Sequence, residues 1–368
     1  MKKKNLCKTL VKTICIVLGI LILALLAYIV YLYASYYRIE DNQELVVEAP
    51  VDDTTTGAAA VLATDTEYSA VTYNIGFGAY LPDYSFFMDG GTSSWAESPE
   101  TVQYAINGAG ELVKSLDPDF ALIQEIDLDA TRSYHTDEYE MLRNLLPEYT
   151  TVFAQNYDSA FLFYPFTQPH GSSRAGLGLF SKYPVSSALR RSFPISTSFS
   201  KFFDLDRCYS VSRIPVDNGK ELVIFNLHMS AYGNSDEIRK GQIEMLCNDM
   251  AKEYEAGNYV LCGGDFNHDL KASEEDAENC ESWAFPFPRT ELPEHFAFCL
   301  DLLSSEEKEA LWNSARNADM EYVSGVTYTV TLDGFIISDN IECLSYENVS
   351  TGYSYSDHDP VKVEFVLK

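Results

Sequence analysis

The chain has 368 residues, of which 46% are hydrophobic and 13% aromatic, which is enough for a large core and excludes a largely disordered polypeptide. A formal net charge of −29 excludes a generally basic surface for gripping phosphates, so an anionic ligand would need a local basic patch or a divalent cation. The eight cysteines show no C-x-x-C pair and no zinc-type spacing.

Residues 1–13 are basic, with Lys2, Lys3, Lys4, Lys8 and Lys12. An uncharged apolar run follows, and a transmembrane helix is expected over residues 14–37. Tyr28, Tyr31, Tyr33, Tyr36 and Tyr37 cluster at its far end, where amphipathic rings favour the membrane interface. The alternative is a cleaved secretory signal, but its apolar run is usually shorter and ends in small residues. Lysines before the run and Glu40, Asp41, Glu44 and Glu48 after it predict a cytoplasmic N-terminus and an extracytoplasmic remainder of a single-pass cell-membrane protein. Residues 38–66 are small and polar and read as a linker, with a short helical turn at 58–63, leaving residues 67–368 as one folded domain.

Within that domain, strands are predicted at 69–74, 120–124, 176–180, 209–216, 221–227, 259–262, 333–337 and 361–366. Helices are predicted at 101–116, 139–146 and 236–254. Asp217-Asn218-Gly219-Lys220 is a hairpin signal between two of the strands. Strands interleaved with helices and hairpins point to an α/β fold with mixed sheets.

Polar residues recur at the ends of these apolar strands. Asn74 follows V-T-Y, Glu125 follows A-L-I-Q and His228 follows V-I-F-N-L. Asp265 and Asn267 follow V-L-C-G-G, Asp333 precedes G-F-I-I-S, and Asp357 and His358 precede D-P-V-K-V. Taken singly, each is an ordinary turn or core residue. Together they form a set that rigid strand ends can converge on one cleft.

The stretches T-Y-N-I-G, L-I-Q-E-I-D, G-L-G-L-F-S-K-Y-P, F-N-L-H, G-G-D-F-N, L-D-G-F-I-I-S and S-D-H-D-P-V occur in that order from residue 72 to residue 361. In these the chain resembles the endonuclease/exonuclease/phosphatase superfamily, which includes deoxyribonuclease I and the neutral sphingomyelinases. The resemblance implies a four-layer α/β/β/α sandwich of two packed mixed sheets. It also implies a hydrolase acting on phosphate esters with a bound divalent cation, Mg²⁺ or alternatively Mn²⁺ or Ca²⁺. By the same resemblance Glu125, Asn74 and Asp357 serve the metal, and Asn267 lies beside the scissile phosphate with Asp265. His358 is the general base, oriented by Asp333, and His228 is a second catalytic histidine. Either His228 or Asp265 protonates the leaving oxygen.

Hard cations prefer such oxygen donors, and an imidazole paired to a carboxylate is suited to taking a proton from water. Arg207 stands apart from a sparse group of Arg190, Arg191, Lys201 and Arg213 because it sits just before a strand, from where it could reach a phosphate. The expected partners are a phosphate-ester substrate (lipid, phosphosugar or nucleic acid) and the membrane, with no protein partner inferred. An extracellular nuclease is the alternative substrate reading, and a catalytically inactive surface-binding module that keeps the fold is the alternative class.

Other features carry narrower expectations. Gly334, where the family often has an aromatic or histidine, is expected to widen the cleft locally. The long, aromatic interval between Asn74 and Glu125 is either a specificity loop or a flap with its own small core. Tyr157 and His170, near the aromatic stretch at 161–171, are further cleft candidates. Cys262 reads as an inert buried thiol, and a disulfide such as Cys280–Cys299 is compatible with an oxidising compartment.

Overall fold

The structure is a computed structural model that describes residues 2–52, 61–202, 204–231, 236–273 and 283–368. It separates into two units, residues 1–38 and 39–368. The first is a single helix, α1 (Lys2–Ser35), whose stretch Cys7–Ser35 is long and apolar enough to cross a membrane. Most of its described leucines, isoleucines and valines are exposed, Leu23 to 67% and Val30 to 66%, whereas Leu32 is buried.

Among its described residues the second unit holds sixteen strands. In chain order they are β1 (Gln43–Glu44), β2 (Val47–Glu48), β3 (Glu67–Asn74), β4 (Phe120–Ala130), β5 (Thr150–Asp158), β6 (Ser173–Ser181), β7 (Ser187–Ser192) and β8 (Cys208–Pro215). There follow β9 (Glu221–His228), β10 (Tyr259–Asp265), β11 (Phe296–Phe298), β12 (Ala315–Arg316), β13 (Thr329–Val330), β14 (Asp333–Ser338), β15 (Ile341–Asn348) and β16 (Val361–Leu367). The helices are α2 (Pro99–Leu116), α3 (Glu138–Leu145), α4 (Asp236–Glu255) and α5 (Ser305–Ala310).

Two seven-stranded mixed sheets result, ordered β15-β16-β3-β4-β6-β5-β2 and β1-β7-β8-β9-β10-β14-β11. Each contains one parallel pair, β3 with β4 and β9 with β10, and its other pairs are antiparallel. Parallel neighbours need a crossover, and α2 and α4 supply it. Alternation along β4 assigns the layers. Phe120 and Leu122 enter the core between the sheets, whereas Ala121 and Ile123 join Val102, Ile106, Ala109 and Val113 of α2 on the outer face. On the far side, Ile243, Leu246, Cys247 and Met250 of α4 pack on the second sheet. These are the four layers the motifs implied.

A polar bridge crosses the inter-sheet core at Gln124. Gln124 donates to Thr72 at 3.1 Å within its own sheet and to Asn226 of the other sheet at 2.8 Å, and Asn226 donates to the Gly178 carbonyl at 2.9 Å. These buried amides are hydrogen-bonded, which such a position requires.

The helix and hairpin signals are built as read. Ser98 caps α2 by accepting from the Thr101 amide at 3.1 Å, and Pro99 opens the helix. The turn after β8 closes with Gly219 at φ +78°, a conformation that glycine adopts without penalty.

The stretch read as a linker differs from expectation. Ile39 donates its amide to Asp206, β1 pairs with β7, β2 pairs with β5, and Leu62 is fully buried in the main core beside Val216. Residues 39–52 and 61–66 are thus part of the folded body. Of the helical turn expected at 58–63, residues 58–60 lie outside the described residues.

Candidate active site

The ends of the strands supply the site. Asn74 closes β3, His228 closes β9, Asp265 closes β10 and Asp333 opens β14. Parallel pairing puts Asp265 opposite His228, and antiparallel pairing puts Asp265 opposite Asp333, so three functional side chains stand on adjacent strands at one level. Glu125 sits in β4 at a register shift between Ile123 and Ile126 with φ +58°. Such a bulge re-aims a side chain that regular alternation would place elsewhere. Gly264 has φ +146°, and a Cβ there would come within 2.1 Å of the Leu227 carbonyl oxygen, so only glycine lets β10 run this close to β9 just before Asp265.

Asn74 joins the two sheets, donating to Glu125 Oε1 at 3.2 Å and to Asp265 Oδ2 at 3.1 Å. His228 Nε2 lies 3.6 Å from Asp265 Oδ2 and 3.9 Å from Glu125 Oε1. His358 Nε2 lies 3.8 Å from the same Asp265 oxygen, while its Nδ1 is 2.7 Å from Asp333 Oδ2. Asn267 donates its backbone amide to Asp265 Oδ1 at 2.8 Å and its side-chain amide to the Met229 carbonyl at 2.9 Å.

Asp357 lies against the turn after β3. A Cβ on Gly76 would be 3.2 Å from its Oδ1, and Ser356 ties this region to Asn74 by donating to the Asn74 carbonyl at 2.9 Å. Arg207 is buried, close enough to His228 to depress the imidazole, and its Nε and Nη1 have no hydrogen-bond partner among the described residues. By contrast, Arg190 is fully buried on backbone carbonyls, and Arg191 and Arg213 are committed to Asp249 and Glu253.

The electrostatics follow from burial. Burial pushes Glu125 and Asp357 above the ordinary carboxylate range; Arg132 opposes and Asp357 reinforces the shift of Glu125, while His358 and Arg316 oppose that of Asp357. Burial, reinforced by Asp333, pushes Asp265 up to about 7. Burial opposes a charge on His358, but Asp333, Asp265 and Asp357 outweigh it and hold the imidazole well above its usual value. Burial, with the nearby Arg207 and His358, keeps His228 neutral.

The donor set fits a hard divalent cation. Glu125 and Asp357 bring two half-buried carboxylates into one region, which is unfavourable without a positive charge, while Asn74 donates its amide to Glu125 and accepts from the Gly76 amide through Oδ1. The tightest group of candidate ligands is Asp265, Asp333 and His358, whose atoms lie within 4.8 Å of one another. That compactness arises from the hydrogen bond between Asp333 and His358, which occupies both partners, so the Glu125 side is the better fit.

Several contributors lie outside the recognised motifs. Ser314 donates to Asp333 Oδ2 at 2.7 Å and accepts from the Leu332 and Asp333 amides. Tyr346 donates to the Asp333 carbonyl at 3.3 Å. Arg132 is clamped on Asp127 through two bonds of 2.8 and 3.0 Å and stacks on Phe77 at 3.7 Å, and its charge lowers Glu125 from behind. Ser314 is a lone serine in a loop and carries no sequence signal.

Gly334 does not widen the cleft: a Cβ there would meet Leu270 at 2.8 Å and the Tyr346 hydroxyl at 3.3 Å, both inside the core. In the interval after Asn74, Phe77, Tyr80, Tyr84 and Phe86 are buried with Val102 and Ile106 of α2, so this part of the loop is a packed flap. Tyr157 is buried near Arg132, and His170 is buried between Phe86 and Phe87. Cys262 is buried, and burial raises its thiol well above the ordinary value, as an inert core cysteine requires. Cys280 lies outside the described residues.

The family model described as "Endonuclease/Exonuclease/phosphatase family" matches residues 71–317. A search of curated proteins gives no match. Among solved structures, an endonuclease/exonuclease/phosphatase from Beutenbergia cavernae superimposes with a TM-score of 0.54 at 15% identity, covering 82% of this chain and 72% of that one. TDP2 from D. rerio, complexed with a single-strand DNA product, gives 0.53 at 14% identity over 82% and 99%. ANGEL2, a 2′,3′-cyclic phosphatase, gives 0.56 at 12% identity over 82% and 96%. At these identities the likeness is one of fold.

Proposed function

Since the chain belongs to the endonuclease/exonuclease/phosphatase family, we propose that it is a membrane-anchored, metal-dependent phosphoesterase that hydrolyses a phosphodiester or phosphomonoester by attack of water. The observation that carries this reading is the Asp333–His358 pair at 2.7 Å, with His358 Nε2 turned to the cluster of Asp265, Asn74 and Glu125. A carboxylate on Nδ1 fixes the tautomer and steadies the imidazolium, leaving Nε2 to take the proton of the attacking water.

Glu125, Asn74 and Asp357 would hold the cation. A divalent ion there would offset charge developing on the phosphoryl oxygens, and it would also offset the carboxylates that keep His358 protonated. Arg207, whose Nε and Nη1 have no hydrogen-bond partner among the described residues, would bind the phosphate together with Asn267. Asp265 carries its proton up to about pH 7, which suits it to protonate the leaving oxygen, and neutral His228 would donate a hydrogen bond beside it.

The apolar helix would tether the enzyme with its N-terminus cytoplasmic and its domain outside. An acidic chain on a membrane tether favours a lipid or other small phosphate ester over a nucleic acid. The test is hydrolysis of bis-p-nitrophenyl phosphate and of a panel of phospholipids, phosphosugars and nucleic acids, with Mg²⁺, Mn²⁺ or Ca²⁺ added or chelated. Chelator-sensitive turnover supports the reading. Silence across the panel would leave a binding module with an enzyme's fold.

A further inference from the structure

The aromatic loop that follows β5 has no task in the proposed hydrolysis. β4 passes Glu125 and ends at Ala130, which pairs with Ser173 at the start of β6, and Asp158 at the end of β5 pairs with Arg174. Residues 159–172 therefore leave the sheet from the edge that also holds Glu125. The neck of this loop is fixed. Leu162 and Gly171 exchange backbone hydrogen bonds of 3.0 Å across it, Trp95 Nε1 donates to the Pro169 carbonyl at 2.7 Å, and Ser94 donates to the Gln168 carbonyl at 2.7 Å. Phe87 of the packed flap meets Tyr164 with ring centres 5.9 Å apart.

The tip, by contrast, is exposed and apolar. Phe166 is 85% exposed, Tyr164 63% and Phe163 50%, and Met88, next to Phe87, is 54% exposed. Single exposed apolar residues are ordinary, but bulky ones clustered on a fixed loop mark an interaction site. Charge is also missing here. The chain has 55 acidic residues and a net charge of −29, yet residues 159–173 contain no Asp, Glu, Lys or Arg. Burial keeps the imidazole of His170 neutral.

We propose that the tip of this loop, Phe163 to Phe166 with Met88, inserts into the interface of a lipid bilayer and sets the Glu125 edge of the domain against it. The inference rests on the proposed membrane tether, since α1, long and apolar enough to cross a membrane, would keep the domain beside a bilayer. Rings mixed with proline and the neutral side chains of Thr167 and Gln168 suit the headgroup region, where aromatic residues collect. A strongly acidic domain has no electrostatic pull towards anionic lipid, so apolar insertion is the contact open to it. A protein partner is ordinarily steered and held in register by charged groups, and this loop carries none. Contact at this edge would favour phosphate esters presented at a lipid surface over soluble ones.

The experiment uses the full-length protein carrying Phe166→Trp, reconstituted into phosphatidylcholine liposomes and recovered by flotation. The emission added by the new ring, relative to the wild type with its three tryptophans, should be blue-shifted. It should lose most of its intensity when the acyl chains carry bromine, and iodide on both faces of the bilayer should leave it unchanged. In the unsubstituted protein a photoactivatable phosphatidylcholine should label the tryptic peptide 144–174. Floating protein whose added emission is quenched by iodide and not by bromine, with that peptide unlabelled, would overturn the loop contact and leave the tether standing. Emission shielded from both quenchers would show the tip covered by protein, a second copy or a partner, and would equally overturn it. Protein that does not float would end the tether and this inference together.

Discussion

At the scale of single residues, the proposed reaction separates groups that would touch it from groups that hold them. His358, in the loop before β16, and Asp265, at the end of β10, lie 3.8 Å apart, so His358→Ala and Asp265→Ala should each lower turnover by at least about 10²-fold, the low end for a lost acid or base. Near-normal turnover by both purified variants would remove the assignment. Ser314 is fully buried and donates to the same Asp333 oxygen that His358 uses. Ser314→Ala should cost about tenfold and shift the pH–rate profile, because Asp333 loses a donor that fixes its orientation; an unchanged profile would make Ser314 purely structural. Asp265 also carries a stability signature in the metal-free protein. Its folded pKa of about 7 lies above the ordinary carboxylate value of about 4. Its contribution is therefore fully present below pH ~4 and lost as pH rises towards 7. In Asp265→Asn the fall in melting temperature across that window should shrink, and an identical slope in both proteins would contradict the assignment. The residues proposed to touch the reaction were legible because they flank apolar strands in recognisable motifs. Ser314 and Tyr346 were not, because one lies in a loop and the other on an edge strand, and their value lies only in what they contact.

At the scale of elements, what the sequence announced were the strands with continuous apolar runs. β3, β9 and β10 are buried along nearly all of their length, and their composition says so. β7 and β15 escaped notice because S-A-L-R-R-S and I-E-C-L-S-Y-E-N carry charges at positions that face solvent or meet a counter-charge, as Arg190 and Arg191 do. β4 was read only to Gln124, since the acidic run after it resembles a loop; the bulge at Glu125 lets the strand continue to Ala130. The closest backbone approach near the site makes an element-level prediction. Gly264→Ala would force β10 away from Leu227, costing about 2 kcal/mol or more and moving Asp265 out of line with His228 and Asp333. Chemical denaturation would measure the loss, and a variant with native stability and native turnover would show that the approach is not as tight as the geometry states.

At the scale of the whole molecule, the boundary between the apolar helix and the domain is where composition and packing disagree most. Polar, small-residue sequence after the apolar run reads as a tether, because chain that lacks periodicity gives no sign of where its few apolar residues go. In the folded unit those few are decisive. Ile39 is bonded to Asp206, Asp41 accepts from the Ser192 amide and Arg191, two short strands cover sheet edges, and Leu62 fills the main core. Two truncations therefore have different expected outcomes. Removing residues 1–38 deletes the exposed apolar helix and leaves every one of those contacts, so the product should be soluble without detergent and melt near the full-length value. Removing residues 1–66 also deletes Leu62 and both edge strands. The loss of one fully buried leucine alone costs about 3 kcal/mol, and uncovered sheet edges add a route to aggregation. This second product should melt several degrees lower or fail to purify as a monodisperse species. If both truncations melted alike, residues 39–66 would be the passive tether that their composition suggests, and the packing of Leu62 against Val216 would carry no weight in the fold.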